Sequence, residues 1–190
     1  MLFYQLLRPF DYLKITHSEK WKFDWLIPGV IALSAAALYA VLRGNIVMYG
    51  ERGAVERILS LVQILPGFYI AALAAIATFG RNDIDREMPP PTPTVEIRVG
   101  GIPNTIPLTR RRFLCFLFAF LTAESLSVWI IGSAGMLLAP LVAGTYSAYL
   151  IGGAFDVVFA AIVFFMFSQM IVITFMGLYY LGDRLHQPDQ

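Results

Sequence analysis

Charged residues are scarce in this sequence: Asp, Glu, Lys and Arg make up 14% of its 190 residues, against about a quarter in soluble domains. That leaves too little polar surface to cover a water-soluble fold. With 58% of residues hydrophobic and a mean hydropathy of +0.68, composition alone predicts a membrane protein. Cysteine is scarcer still. Cys115 is the single thiol, so an intrachain disulfide is excluded, and the residue reads as a small apolar side chain. His17 and His186 lie at opposite ends of the chain, with no cysteine or carboxylate at ligand spacing. No metal site, nucleotide fingerprint, nucleophile elbow or P-loop is recognisable, so neither a cofactor nor an enzymatic activity is expected. The apolar blocks also lack the ten-residue alternating segments of a membrane β-barrel.

What is present is four long apolar runs, each near the roughly twenty residues that a crossing helix needs. They start at about Leu26 (to Leu42), Ile58 (to Phe79), Phe113 (to at least Ile131) and Ala154 (to Leu181). The expected fold is all-α: a four-transmembrane-helix bundle with a small β-hairpin-like insert between helices 2 and 3. Its parts are an interfacial segment (1–25), helices 1 and 2 (26–80), the insert (81–112), helices 3 and 4 (113–181) and a tail (182–190). Residues 132–155 carry five glycines before Ala154, a proline and no charge until Phe155. Because glycine and proline disfavour helix interiors, an apolar outer loop is favoured there over a re-entrant segment or a fifth crossing.

Basic residues set the orientation. With four spans and both termini inside, eleven Lys and Arg lie inside and three outside; the opposite orientation reverses the counts. A multi-pass membrane protein with N-in, C-in topology is therefore expected, with the insert in the cytosol. The N-terminal stretch MLFYQLLRPFDYLKI spaces Leu2, Leu6, Leu7, Phe10 and Leu13 near helical period, which suggests an interfacial helix interrupted at Pro9. Trp21, Lys22 and Trp25, with Lys20, make an aromatic-basic collar at the mouth of the first span. Arg110, Arg111 and Arg112 do the same for the third, with Thr109 as its cap.

Within the spans, Glu124 lies about 18 Å along the third helix, where a carboxylate is costly unless neutral, paired or wetted. Gln63 and Gln169 are the other strongly polar groups at depth, and either is a candidate donor to Glu124. Glu124 reads as a pore-lining carboxylate or as a structural one joining helices. Pro66-Gly67 predicts a kink in the second span.

The insert is unlike its surroundings. Pro89 to Pro91 with Pro93 read as a stiff spacer holding the following residues away from lipid. TVEIRV alternates, placing Val95, Ile97 and Val99 on one face and Thr94, Glu96 and Arg98 on the other, which predicts a strand. Gly100-Gly101 marks a turn, and NTIPLT returns as an edge strand. A lone hairpin is marginal in water and is expected to draw further strands from sister subunits or a partner. Val95, Glu96, Ile97, Arg98 and Val99 are thus the candidate docking residues.

This layout, with LTRRRFLCFLFAFL closing the insert and GLYYLGDRL closing the last helix, resembles the small membrane subunit of Kiwa-type bacterial anti-phage systems. The resemblance implies a homo-oligomeric component of the bacterial inner membrane that senses infection at the envelope and holds a separate cytosolic, DNA-binding partner. It carries no catalytic residues across. The expected function is a non-enzymatic sensor or scaffold in contact with membrane lipid, recruiting a cytosolic effector and binding no nucleic acid itself. The alternative is an ion channel or depolarising pore that uses Glu124.

Overall fold

A computed structural model of the chain describes residues 5–42, 45–78, 80, 82–99, 102–143 and 151–182. It contains four helices long and apolar enough to cross a membrane, and a two-stranded antiparallel sheet. A 3-10 segment (Arg8–Lys14) comes first, then a π-helical turn (Lys22–Leu26) that runs into α1 (Ile27–Leu42). α2 (Ala54–Val62) and α3 (Leu65–Thr78) together make the second long segment. A 3-10 turn (Asn82–Asp85), β1 (Thr94–Val99), β2 (Ile102–Pro107), α4 (Arg110–Ala143) and α5 (Ile151–Gly182) complete the order.

α4 is the hub: α3, α5, α2 and the 3-10 segment all pack on it, and α1 packs on α5. The packing faces follow helical spacing. α1 turns Ala32, Ala36 and Tyr39 inward, and α2 turns in Val55, Leu59 and Val62. Leu114, Leu117, Leu121 and Val128 form the spine of α4, closed by Met170 and Ile173 of α5.

The second long segment is interrupted, but just ahead of the expected kink. Its two helices part at Gln63-Ile64, and Pro66 then falls in the first turn of α3, where a missing N–H breaks no helical bond.

The outer-loop reading of 132–155 is corrected. α4 continues through Ala143 and α5 begins at Ile151; residues 144–150 lie outside the described part. Two of the glycines that argued against a helix, Gly132 and Gly135, are close-packing sites. A β-carbon on Gly132 would lie 2.7 Å from the Leu59 side chain, and one on Gly135 would overlap the Phe159 ring. Helix propensity is local, whereas the need for space comes from α2 and α5. At 34 residues, α4 is about 51 Å long, well beyond a hydrocarbon core of about 30 Å.

The predicted hairpin is present, with Thr94 opposite Pro107 and Val99 opposite Ile102. It is not held away from the helices by a proline spacer. Met88, Val95 and Leu108 are buried in the same core as Leu114 and Phe113, Ile97 and Ile106 pack against it, and Pro93 is buried. The N-terminal stretch also differs from expectation. It is a 3-10 segment wedged against α4 rather than a helix lying on a surface. Tyr12 has 0% exposure and stacks on Phe120 at 5.0 Å, while Leu6, Leu7 and Leu13 remain exposed. Leu2 is outside the described residues.

Candidate functional site

The N-terminal stretch, the hairpin and the near ends of α1, α3, α4 and α5 meet at one end of the bundle. Two features are built there. One is a buried polar knot; the other is an exposed strand edge.

The knot centres on Asp24, 2% exposed in the π-helical turn. Tyr12 donates its hydroxyl to Asp24 Oδ1 at 3.1 Å, and the Lys20 ammonium pairs with Oδ2. The same ammonium sits 4.0 Å from the centre of the Tyr12 ring. Lys20 and Asp24 are one helical turn apart, so the pair forms locally, and burial then makes it costly to break. Burial, and next Asp24, push the Tyr12 hydroxyl well above the usual phenol range. Burial also lowers Lys20, opposed by its bond to Asp24. The Asp24 carbonyl completes the knot. Pro28, four residues on, has no N–H to offer it, and Gln169 of α5 donates its Nε2–H there instead, at 2.7 Å. The knot thus ties the N-terminal stretch, the start of α1 and the middle of α5 together.

Glu124 is buried in α4 with Ser125, and neither carboxylate oxygen has a hydrogen-bond partner among the described residues. The expected donors are elsewhere. Gln169 is committed to Asp24, and Gln63 is exposed at the break between α2 and α3.

The three arginines do different things, so the simple picture of a basic collar is corrected. Arg110 is buried, 4% exposed. Arg111 grips both oxygens of Asp85 at 2.7 and 2.9 Å and donates to the Ile76 carbonyl at 2.6 Å, closing the last turn of α3. That pairing holds the Asp85 carboxyl below its usual range. Arg112 stays exposed, its N–H donating to Thr109 Oγ1 at 3.3 Å, the cap the sequence predicts. Trp21 and Trp25 are exposed and Lys22 is half-buried; Trp25 stacks on Phe165 at 5.8 Å.

The hairpin presents only some of its expected docking residues. Val95 is 1% exposed and Ile97 is half-buried, so both are spent on the core; Glu96 is exposed. The side chains of Arg98 and Val99 lie outside the described part, and their backbones pair with Pro103 and Ile102. The hairpin needs no strand from another chain, because this one supplies support. Thr94 exchanges both backbone bonds with Thr16, at 2.8 and 3.1 Å, and Leu108 bonds Met88 and Pro93.

These bonds also fix which edge is open. Since Thr94 turns its backbone outward to Thr16, Glu96 and Arg98 do the same, by the alternation of antiparallel strands. No described residue hydrogen-bonds the outward backbone groups of either. The opposite edge belongs to Pro103, Thr105 and Pro107, and the two prolines have no N–H to give. Their register, opposite Arg98 and Thr94, places them where that loss breaks nothing inside the hairpin. One edge of the sheet is blocked and the other is open.

No family model, curated protein or solved structure matches this chain.

Proposed function

We propose that the chain is a non-enzymatic membrane scaffold that recruits a cytosolic protein by strand addition to β1. The observation that carries this is the asymmetry of the hairpin: Val95 and Ile97 anchor it, Pro103 and Pro107 close one edge, and Glu96 and Arg98 offer backbone groups on the other. Such an edge is a ready template for a partner strand, and alternate side chains supply specificity. The basic-residue distribution supports a cytosolic position for this end. A homo-oligomeric inner-membrane sensor in anti-phage defence is the setting that the resemblance implies, with the recruited partner as its cytosolic effector.

The test is affinity purification from gently solubilised membranes, with the captured proteins identified by mass spectrometry. Glu96→Pro removes one outward N–H and leaves the inward bonds of Val95 and Ile97 in place. The expected result is a cytosolic protein captured by the parent chain and by Glu96→Ala, and lost with Glu96→Pro. Capture unchanged by Glu96→Pro, or no capture by the parent, overturns the reading.

The unpartnered oxygens of Glu124 support the second reading, a channel. Conductance across a reconstituted bilayer that changes with Glu124→Gln favours it; an inert bilayer with both chains rejects it.

A further inference from the structure

A cavity of about 620 Å³ opens beside the knot, within the range of about 300–1,000 Å³ typical of small-ligand sites. It is separate from the open edge of β1, and its occupant is independent of strand recruitment.

Its rim is made by two helices that face each other across a slot. Phe23 and Ile27, one turn apart, form one lip, and Phe175 and Tyr179, also one turn apart, form the other. All four are exposed. They belong to helices long and apolar enough to span a membrane, which makes lipid the natural source of an occupant. The back wall is buried: Phe113 from α4 and Met88 from the segment before the prolines. Pro89 to Pro91 and Pro93 close one side with their rings.

The polar end of the slot narrows the chemistry of the occupant. Its charged groups are already neutralised: Lys20 by Asp24, and Glu19 by Lys22 at 2.7 Å. The slot therefore sets no demand for an anion or a cation. His17 is different. Its Nδ1 accepts the Glu19 backbone N–H at 3.2 Å, which leaves Nε2 as the ring's donor. An occupant that fits has a long apolar body, no charge inside the slot, and one uncharged acceptor near His17. An esterified acyl chain has all three properties.

We propose that the slot holds one acyl chain of a phospholipid, drawn sideways from the surrounding leaflet, with its ester carbonyl at His17. The proline segment that lines the slot leads directly into β1.

The test uses the full chain in vesicles of phosphatidylethanolamine and phosphatidylglycerol with a trace of phosphatidylethanolamine bearing a diazirine on one acyl chain. After irradiation, adducts are mapped by mass spectrometry. Adducts are expected on Met88 to Pro93 and on Phe113, at a level that their burial from the open lipid surface does not account for. Val172→Phe fills the slot from its α5 wall and lowers those adducts about tenfold, while adducts at the exposed Val41 of α1 stay unchanged. His17→Ala, at a half-buried position outside the core, lowers them as well and guards against misfolding of the first variant. Three results overturn the proposal. One is slot labelling that merely follows surface exposure. Another is labelling that neither variant changes. The third is labelling displaced by free palmitate but not by unlabelled phospholipid, which makes the occupant a fatty acid.

Discussion

The two ends of this bundle are built on different principles. At the hairpin end, α4 is covered by the 3-10 segment, the proline segment and β1, and polar groups are taken inside and paired. At the far end a smaller cluster of Tyr39, Met48, Val55, Leu59 and Ala160 holds the helices, with Tyr49, Phe159 and Met136 against it. There, contact depends on glycines letting helices close, and Trp129, Ile130, Leu137 and Leu138 of α4 stay exposed. The contrast teaches where specificity lies. The far end satisfies the bilayer by being apolar and close-packed, whereas the hairpin end commits buried charges to one arrangement of three separate segments.

The largest effect expected from breaking that contrast is at the knot. Asp24→Ala leaves Lys20 buried without its carboxylate and Tyr12 without its acceptor, a loss of about 3–5 kcal/mol. Thermal unfolding in detergent, followed by intrinsic fluorescence, should show it as a sharp fall in midpoint. The paired change Lys20→Met with Asp24→Leu removes both charges and should recover most of the loss. Failure to recover means the pair has a role beyond filling space.

At the far end, Gly135→Leu forces a side chain onto the Phe159 ring and should cost about 1–3 kcal/mol in the same assay. Adding Phe159→Ala should relieve it, which a purely local helix effect would not. Tyr12→Phe is milder. It removes one hydroxyl bond to Asp24 and keeps the stacked ring, for a loss of about 1 kcal/mol.

The smallest effect is at Asp85, whose pairing with Arg111 is exposed. Its carboxyl is lowered in the folded chain, so its contribution is present above the unfolded value and fades as pH falls through the folded one. Asp85→Asn should flatten that acid limb of the stability profile and change little at neutral pH.

The spans and the hairpin were legible because each is written in local pattern: apolar runs for the helices, strict alternation in TVEIRV for β1. The register prolines were half legible, since Pro107 marks an edge but only the pairing shows that Pro103 shares it. The knot was missed. Its sequence signals are slight: opposite charges at Lys20 and Asp24 one turn apart at the mouth of an apolar run, and a proline four residues after Asp24. Tyr12 and Gln169 join them across separations of 12 and 145 residues, which no local pattern encodes. Gly132 and Gly135 misled for the same reason, because Leu59 and Phe159, which they make room for, are distant in sequence.

The central claim is that the hairpin is docked by one set of strand residues and open along the other, and residue-resolved amide hydrogen exchange in lipid discs tests it most directly. Slow exchange is expected at Thr16, Thr94, Val95 and Ile97, and fast exchange at Glu96 and Arg98, which alternate with them. Uniformly fast exchange through Thr94–Val99 would mean that the hairpin does not rest on the helices. Uniformly slow exchange would mean that its edge is already covered. Either result contradicts the account.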